Sequence, residues 1–255
     1  MNSNPSDTVI LPDVNSIGQS KRYDAQEVRR AVRDLLGGGS NGAAAELRAY
    51  PRRKRSTSGG STWTTYITPD APTDYANDFC QQHNGLYHLW FSPNSVIIPC
   101  GKKPNEAFRA NVGNCTSDEF VPKRSFLPVD VDPVKPKAFQ HQPATNEESA
   151  AAGRLTDEIV TAMRTNGWPD PYRLHSGNGR QLFYSIDLPN DSESTLFIKS
   201  VLRKLDKDFS NEFAIIDTSV FNASRMMRTP GTLNCKGNDT EERPWRMAHF
   251  EDVQP

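Results

Sequence analysis

Several features that define common protein classes are missing from this sequence. No apolar run approaches the ~20 residues that a membrane-spanning helix needs, and the first residues, MNSNPSDT, are polar and do not form a signal segment. The four cysteines are widely spaced and include no C-x-x-C pair. We therefore expect a cytoplasmic protein with free thiols and no membrane partner. A zinc site made by Cys80, His83, Cys100 and Cys115 is a minor alternative, because their spacing fits no standard finger.

The sequence also lacks an excess of charge of one sign, since 30 lysines and arginines face 31 aspartates and glutamates. The net charge of −1 therefore gives no reason to expect a nucleic-acid partner. One local basic stretch exists at 48–55, where Arg48 and Arg52 are followed by three further cations that end at Arg55. This stretch is either a solvated basic loop or a contact to a nucleic-acid backbone.

The chain divides by composition and periodicity into a flexible lead-in, an accessory α/β subdomain and a core, which span residues 1–22, 23–124 and 125–255. The accessory subdomain begins with a helix at Asp24, where Glu27 has capping-box spacing, and Gly37 to Gly39 are expected to end this helix. Strands are expected at 63–68 and 86–91, with a short helix between them. This region is predicted to form an extra α/β layer.

The order of elements from residue 125 onward is β-α-β-β-α-β. Helices are predicted at 146–165 and 193–208, and strands at 126–132, 171–175, 181–186 and 213–218. This order is that of the ferredoxin-like or RRM-like α+β fold, an antiparallel sheet in which the first strand lies beside the third and the fourth. The adjacency of these strands would bring three separate motifs to one site.

Three aspartates end two neighbouring strands of the predicted sheet. Asp130 and Asp132 are two residues apart, so strand alternation points both carboxylates to one face. Asp217 ends the apolar strand expected beside them. Converging carboxylates repel one another unless cations lie between them, and such hard oxygen ligands suit Mg²⁺ or Mn²⁺. Taken alone, a D-x-D pair is also common in surface turns, and Asp217 with Thr218 and Ser219 also fits an Asx turn.

A glycine-rich polar turn lies between the two middle strands. Ser176, Gly177, Asn178 and Gly179 form this turn, in which the glycines permit positive φ and leave backbone N–H groups open to an anion. A plain hairpin turn explains the glycines equally well. It does not explain the polar Gln181 at the entry of an otherwise apolar strand, where Gln181 and Ser176 could hydrogen-bond a triphosphate.

Three cations, Arg225, Arg228 and Lys236, follow Asp217 closely in the chain. Guanidinium groups bind phosphate bidentately and neutralise its charge. These side chains are therefore candidate phosphate ligands opposite the carboxylates, and a surface ion pair is the alternative for each of them.

These motifs, in this order, resemble the archaeo-eukaryotic primase superfamily, specifically the bifunctional primase-polymerase domains of phage, plasmid and other mobile-element replication proteins. The resemblance rests on VDVDPVKP, on SGNG followed by an aromatic strand, on IDLPNDSEST and on DTSVFNASRMMRTPGTLNCKGNDTEERPWR. It covers the chain from about residue 125 onward and is loose before that point.

The resemblance implies an enzyme, a DNA primase or DNA polymerase that transfers nucleotides from NTP or dNTP on a single-stranded DNA template by a two-metal mechanism. Its catalytic and metal-binding residues would be Asp130, Asp132 and Asp217, with Mg²⁺ or Mn²⁺ as the cofactor. Its nucleotide-binding residues would be Ser176, Gly177, Asn178, Gly179, Gln181, Arg225, Arg228 and Lys236. By analogy with that family, the chain is expected to be the catalytic domain of a longer replication protein that works with a helicase.

The chain departs from the commonest family pattern at Gln181, where many relatives have a histidine. Glutamine can donate a hydrogen bond to phosphate, but it carries neither charge nor a transferable proton. His175, just before the turn, is expected to be structural. Phe183 and Tyr184 are strand aromatics that are expected in the core, with a platform for a base or sugar as the alternative.

Two other protein classes fit the same order of elements. A non-catalytic module that binds single-stranded nucleic acid or a nucleotide shares this plan, but three aspartates on its binding face would repel phosphates. A rolling-circle-type nuclease would need a histidine pair, and the five histidines include no H-x-H pair. Removal of divalent metal would distinguish the two classes. A polymerase would lose nucleotide binding and activity, whereas binding by a non-catalytic module should hardly change.

Overall fold

The computed structural model describes residues 22–36, 44–52, 62–68, 73–110 and 115–251. The helices are α1 (Ala25–Ala31, continued by a π turn over Val32–Leu36), α2 (Thr73–His83), α3 (Asn146–Thr165) and α4 (Ser192–Phe209). The longer strands are β1 (Ala45–Pro51), β2 (Thr62–Ile67), β3 (Tyr87–Phe91), β4 (Phe108–Ala110), β5 (Lys123–Pro133), β6 (Tyr172–His175), β7 (Arg180–Pro189) and β8 (Ala214–Ile216). Four two-residue strands follow: β9 (Met227–Arg228), β10 (Leu233–Asn234), β11 (Arg246–Met247) and β12 (His249–Phe250). None of the described helices is long and apolar enough to cross a membrane.

The C-terminal sheet confirms the predicted β-α-β-β-α-β order and the α+β class. Its strands lie in the order β12-β6-β7-β5-β8, and each neighbouring pair is antiparallel. Strand β5 therefore lies between β7 and β8, as expected for the first strand of a ferredoxin-like sheet. The added edge strand β12 was not predicted.

Side chains along β5 alternate between the two faces of the sheet. Val129 and Val131 are fully buried and pack with α3 and α4 in a cluster that includes Leu155 and Ile198. The next residues in the alternation, Asp130 and Asp132, point to the other face of the sheet. Helix α3 begins as predicted: Thr145 and Glu148 form a capping box, and Asn166 and Gly167 follow the helix end.

The other face of the C-terminal sheet is covered by a second, five-stranded sheet with the order β4-β2-β1-β3-β9. The two sheets contact each other through aromatic rings, with the centroids of Phe91 and Phe183 5.8 Å apart. Strand β9 comes from the C-terminal region but pairs with β3, which places Arg228 opposite Trp90. The predicted accessory layer is thus confirmed, and one of its strands is supplied by the chain that follows Asp217.

Helix α1 is capped by Asp24, whose side chain accepts hydrogen bonds from the N–H groups of Gln26 and Glu27. The expected capping box is not completed, because the Glu27 carboxylate accepts a hydrogen bond from the N–H of Phe250 instead, at 2.5 Å. The predicted lead-in, residues 1–22, lies outside the described residues except for Arg22. The glycines expected to end α1 lie outside them as well.

The basic stretch at 48–55 is described only through Arg52. Both expectations for it are wrong at Arg48, which is buried and forms an ion pair with Glu46 at 2.6 Å. Arg52 lies over the ring of Trp245, 4.2 Å from its centroid. These two arginines therefore stabilise the N-terminal sheet and its contact with the C-terminal segment.

Candidate functional site

Side chains from three adjacent strands form one row at the end of β5. Asp130 on β5 is the register partner of Gln181 on β7. On its other side, the N–H of Asp217 donates to the carbonyl of Asp130 at 2.9 Å, so Asp217 continues the register beyond β8. Asp132 lies two residues further along β5 and shares the face of Asp130. The structure thus brings together the motifs that are far apart in the sequence.

Asp132 and Asp217 lie close enough to Asp130 for their charges to act on it. Desolvation, followed by the charges of Asp132 and Asp217, raises the pKa of Asp130 well above its usual range. Desolvation and the charge of Asp217 also raise the pKa of Asp132, although Lys236 and Lys135 act in the opposite direction. A cation between these side chains would relieve this cost, which is the condition expected of a divalent-metal site.

The Asx turn at Asp217 is also present. One carboxylate oxygen of Asp217 accepts a hydrogen bond from the N–H of Ser219 at 2.8 Å. Arg225 donates to the carbonyl and, at 3.0 Å, to the hydroxyl of the same serine, and its charge acts to lower the pKa of Asp130. The turn therefore fixes Asp217 beside the other carboxylates, and the two interpretations of this residue are compatible.

Within the described ranges, no three His, Cys, Asp or Glu side chains form a ready-made metal cluster. The alternative zinc site is therefore not formed: Cys115 Sγ lies 3.9 Å from Thr64 Oγ1, and His83 is bonded through Nδ1 to the carbonyl of Phe79 at 2.8 Å. For Asp130 and its neighbours, the donor set fits Mg²⁺ or Mn²⁺, which take one or two carboxylates and complete their shell with water and phosphate oxygens.

A cavity of about 500 Å³ opens between the two sheets next to the carboxylates. Its lining includes most of the predicted site residues: Asp130, Asp132, Ser176, Asn178, Gln181, Arg228 and Lys236. Asp217, Gly177, Gly179 and Arg225 are not part of this lining. The cavity therefore combines carboxylates from the C-terminal sheet with cations from the segment that crosses to the N-terminal sheet.

Arg228 is a buried cation on the cavity wall. Its guanidinium lies 4.4 Å from the ring centroid of Trp90, and its Nη1 donates to the carbonyl of Leu89 at 3.3 Å. Among the described residues, no carboxylate lies within ion-pair distance of Arg228, although it is only 4 % exposed. Burial lowers its pKa to about 10, so it stays charged at neutral pH. The surface ion pair considered for this residue is absent, and its charge faces the cavity.

Gln181 connects the two walls of the cavity. Its Nε2 donates to the Asp130 carboxylate at 3.3 Å, and its Oε1 accepts from the backbone N–H of Arg228 at 3.1 Å. The side chain is only 2 % exposed. Both polar ends of Gln181 therefore have protein partners. Through them, Gln181 fixes the position of the Asp130 carboxylate relative to β9.

The glycines of the 176–179 turn are required by close packing. Gly177 has φ +92°, and a Cβ atom there would lie 2.5 Å from the Cβ of Asn234. A Cβ atom on Gly179 would lie 2.1 Å from the carbonyl oxygen of Val131. The N–H groups of Gly177 and Gly179 donate to His175 Nδ1 and Ser176 Oγ, at 2.9 and 3.0 Å. These two N–H groups are therefore used within the turn and do not face an anion.

The expected structural role of His175 is confirmed. Its Nδ1 accepts the N–H of Gly177, and its Nε2 lies 3.2 Å from Ser149 Oγ. The ring stacks on His249 with the centroids 5.0 Å apart. Burial, with the charge of Arg180, lowers the pKa of His175 to about 3, so this ring stays neutral. Phe183 and Tyr184 are likewise fully buried, as expected for core aromatics.

Several cavity residues were missed by the sequence analysis: His88, Trp90, Lys135, Gln140 and Asn234. Lys135 lies within VDVDPVKP, and burial together with Lys236 lowers its pKa to about 8 while its Nζ donates to the carbonyl of Gln142 at 2.6 Å. His88 and Trp90 alternate with buried Leu89 along β3, and this period-two pattern was a usable signal. Burial, with the charges of nearby cations, lowers the pKa of His88 to about 4.

No family model and no curated protein matches this sequence. Among solved structures, the chain is similar to primase RepB′, with 10% identity and a TM-score of 0.45 over 89% of this chain and 56% of that one. It is also similar to the catalytic domain of primase RepB′ in complex with initiator DNA, with 9% identity and a TM-score of 0.44 over 89% and 84% of the two chains. The polymerase domain of Mycobacterium tuberculosis ligase D in complex with DNA gives 14% identity and a TM-score of 0.46, over 88% and 79%. This chain thus spans little more than half the length of the first structure, and these likenesses assign it neither a family nor an activity.

Proposed function

We propose that this protein is a nucleotidyltransferase, a DNA primase or DNA polymerase that acts on a single-stranded DNA template. One observation carries the proposal: the carboxylates of Asp130 and Asp132 lie on the wall of the cavity that also holds the buried, ion-pair-free guanidinium of Arg228. Carboxylates bind divalent metal, and guanidinium binds phosphate. A nucleoside triphosphate with its metal ions is a substrate that uses both.

The proposed roles follow from position. Mg²⁺ or Mn²⁺ held by Asp130, Asp132 and Asp217 would activate the attacking 3′-hydroxyl and stabilise the leaving pyrophosphate. Arg228 and Lys236 would bind the triphosphate through the cavity. Gln181 orients the carboxylate of Asp130 through its hydrogen bond, which is a role that needs no charge.

The first test is incorporation of labelled NTP or dNTP on unprimed and primed single-stranded DNA, with Mg²⁺ or Mn²⁺. We expect metal-dependent product, and we expect the double variant Asp130→Asn, Asp132→Asn to lose at least about a hundredfold in rate. Asp187→Asn is the matched control, because this carboxylate on β7 is exposed, lies outside the cavity lining and pairs with Lys123 at 2.6 Å. Product on the unprimed template would identify a primase.

The non-catalytic binding module makes the opposite prediction. If neither template yields product, while binding of DNA or nucleotide survives in the double variant and in the presence of a chelator, the catalytic proposal fails. The mutual repulsion of the carboxylates argues against this alternative, because a metal-free module gains nothing from their convergence.

A further inference from the structure

The open edge of the C-terminal sheet carries three apolar side chains next to the carboxylates. Strands β5 and β8 pair with Asp132 opposite Ile215, and the N–H of Val134 donates to the carbonyl of Phe213 at 2.9 Å, which continues the register. Cross-strand partners and alternate residues share a face of a sheet. Val134, Phe213 and Ile215, here called the apolar strip, therefore lie on the same face as Asp130 and Asp132.

This strip is exposed, whereas the N-terminal sheet covers the same face further along. Val134, Ile215 and Phe213 are 39, 44 and 61% exposed. Further along the sheet, Phe183 on β7 is fully buried under the N-terminal sheet. Val134 and Ile215 also line the cavity. The apolar strip is thus the surface onto which the candidate active site opens.

The backbone that presents Phe213 is held in place. The side-chain Oδ1 of Asn211 accepts hydrogen bonds from the N–H groups of Phe213 and Ala214, at 2.9 and 3.1 Å. The Ser210 hydroxyl oxygen accepts the N–H of Ile216 at 3.0 Å. The exposed ring therefore stands on a fixed turn and can offer a preformed contact at little cost in conformational entropy.

We propose that the apolar strip binds bases of the single-stranded nucleic acid whose end reacts at the neighbouring carboxylates. This inference rests on the proposed function and adds a strand-binding surface to it. Every base has an apolar π face, and a base stacked on an aromatic side chain binds in a sequence-tolerant way. The strip is uncharged, so a strand can lie on it with its bases toward the protein and its phosphates toward solvent. A stable protein partner would need roughly 1,000 Å² of buried surface, far more than three side chains offer.

The test is the affinity for a fluorescently labelled oligothymidylate, measured by anisotropy with Mn²⁺ present and without nucleotide. We expect Phe213→Ala to weaken binding at least about fivefold, whereas Phe213→Tyr should retain most of it. Phe213→Ala should bind a labelled abasic strand of equal length as tightly as the unsubstituted protein does. Phe197→Ala is the matched control, because Phe197 is 44% exposed on α4, which covers the opposite face of the sheet.

Three results would overturn this inference. Phe213→Ala could bind oligothymidylate as tightly as the unsubstituted protein, or it could lose affinity equally for the abasic strand. The third is a dimer that dissociates on the same substitution, which sedimentation would detect and which would assign the strip to a second copy of the chain. Since this binding assay requires no catalysis, its outcome is separate from that of the incorporation assay.

Discussion

At the residue scale, Arg228 combines burial with the absence of a carboxylate partner in the described structure. Taking a cation out of water costs folding free energy, and here a carbonyl, an indole ring and the charge of Asp130 offset part of that cost. Such a charge is retained at the expense of stability, which is typical of a binding site. The sequence predicted Arg228 as a phosphate ligand, but it gave no sign that the side chain would be buried.

The buried charge of Arg228 predicts that its removal has opposite effects on stability and on binding. We expect Arg228→Met to leave the melting temperature unchanged or higher, because methionine removes the buried charge but fills a similar volume. The same variant should bind a nucleoside triphosphate at least about tenfold more weakly, as measured by calorimetry. Arg164→Met serves as the control, since Arg164 is an exposed arginine that pairs with Asp170. Unchanged triphosphate affinity in Arg228→Met would refute the proposed role.

Not every site residue could be predicted from the sequence. Asp130, Asp132 and Asp217 were predicted to converge because strand alternation and the fold plan suffice to place them. Trp90 and His88 were missed because their place in the cavity depends on β9, which pairs with β3 across a long stretch of chain. The hydrogen bond from the Arg228 N–H to Gln181 follows from that same crossing strand.

At the element scale, helix α3 is linked to the C-terminal segment through its first turn. Glu148 closes the capping box with Thr145 and forms an ion pair with Arg243 at 2.7 Å. Burial acts to raise the pKa of Glu148, but the hydrogen bonds from Arg243 and from the Thr145 N–H outweigh it and lower that pKa. The carboxylate therefore stabilises the fold above its ordinary pKa, and this stability is lost as the pH falls through the lowered value.

We accordingly expect Glu148→Gln to reduce the free energy of unfolding by about 1 kcal/mol near neutral pH, because Arg243 loses its charged partner. The difference from the unsubstituted protein should shrink as the pH falls through the lowered pKa of Glu148, because both proteins then carry a neutral side chain. Denaturant unfolding at several pH values measures this. A difference that stays constant down to acidic pH would show that the ionised carboxylate is not the cause.

Long elements were more predictable than short ones. The periodic apolar residues of α3 and α4 and the alternation in β5 gave the right elements with small errors at their ends. Strands β9 to β12 have two residues each, which is too short for any periodicity to be visible. Their positions are determined by contacts distant in sequence, such as the hydrogen bond between Glu27 and the N–H of Phe250.

At the scale of the whole molecule, the site exists because two sheets meet around one crossing segment. The C-terminal sheet supplies the carboxylates, and the chain after Asp217 crosses to the N-terminal sheet and supplies Arg228 and Lys236 to the same cavity. The sequence predicted the plan of the core and an extra layer. It could not predict the crossing, since no local pattern encodes which sheet a two-residue strand will join.

We propose that metal-binding carboxylates and a phosphate-binding guanidinium act together across this cavity. Electron paramagnetic resonance titration of Mn²⁺, with and without a nucleoside triphosphate, tests it most directly. We predict that the triphosphate strengthens Mn²⁺ binding to the protein, that Asp130→Asn, Asp132→Asn abolishes this binding, and that Arg228→Met removes the strengthening. Mn²⁺ binding that is equally strong in the double aspartate variant would contradict the account.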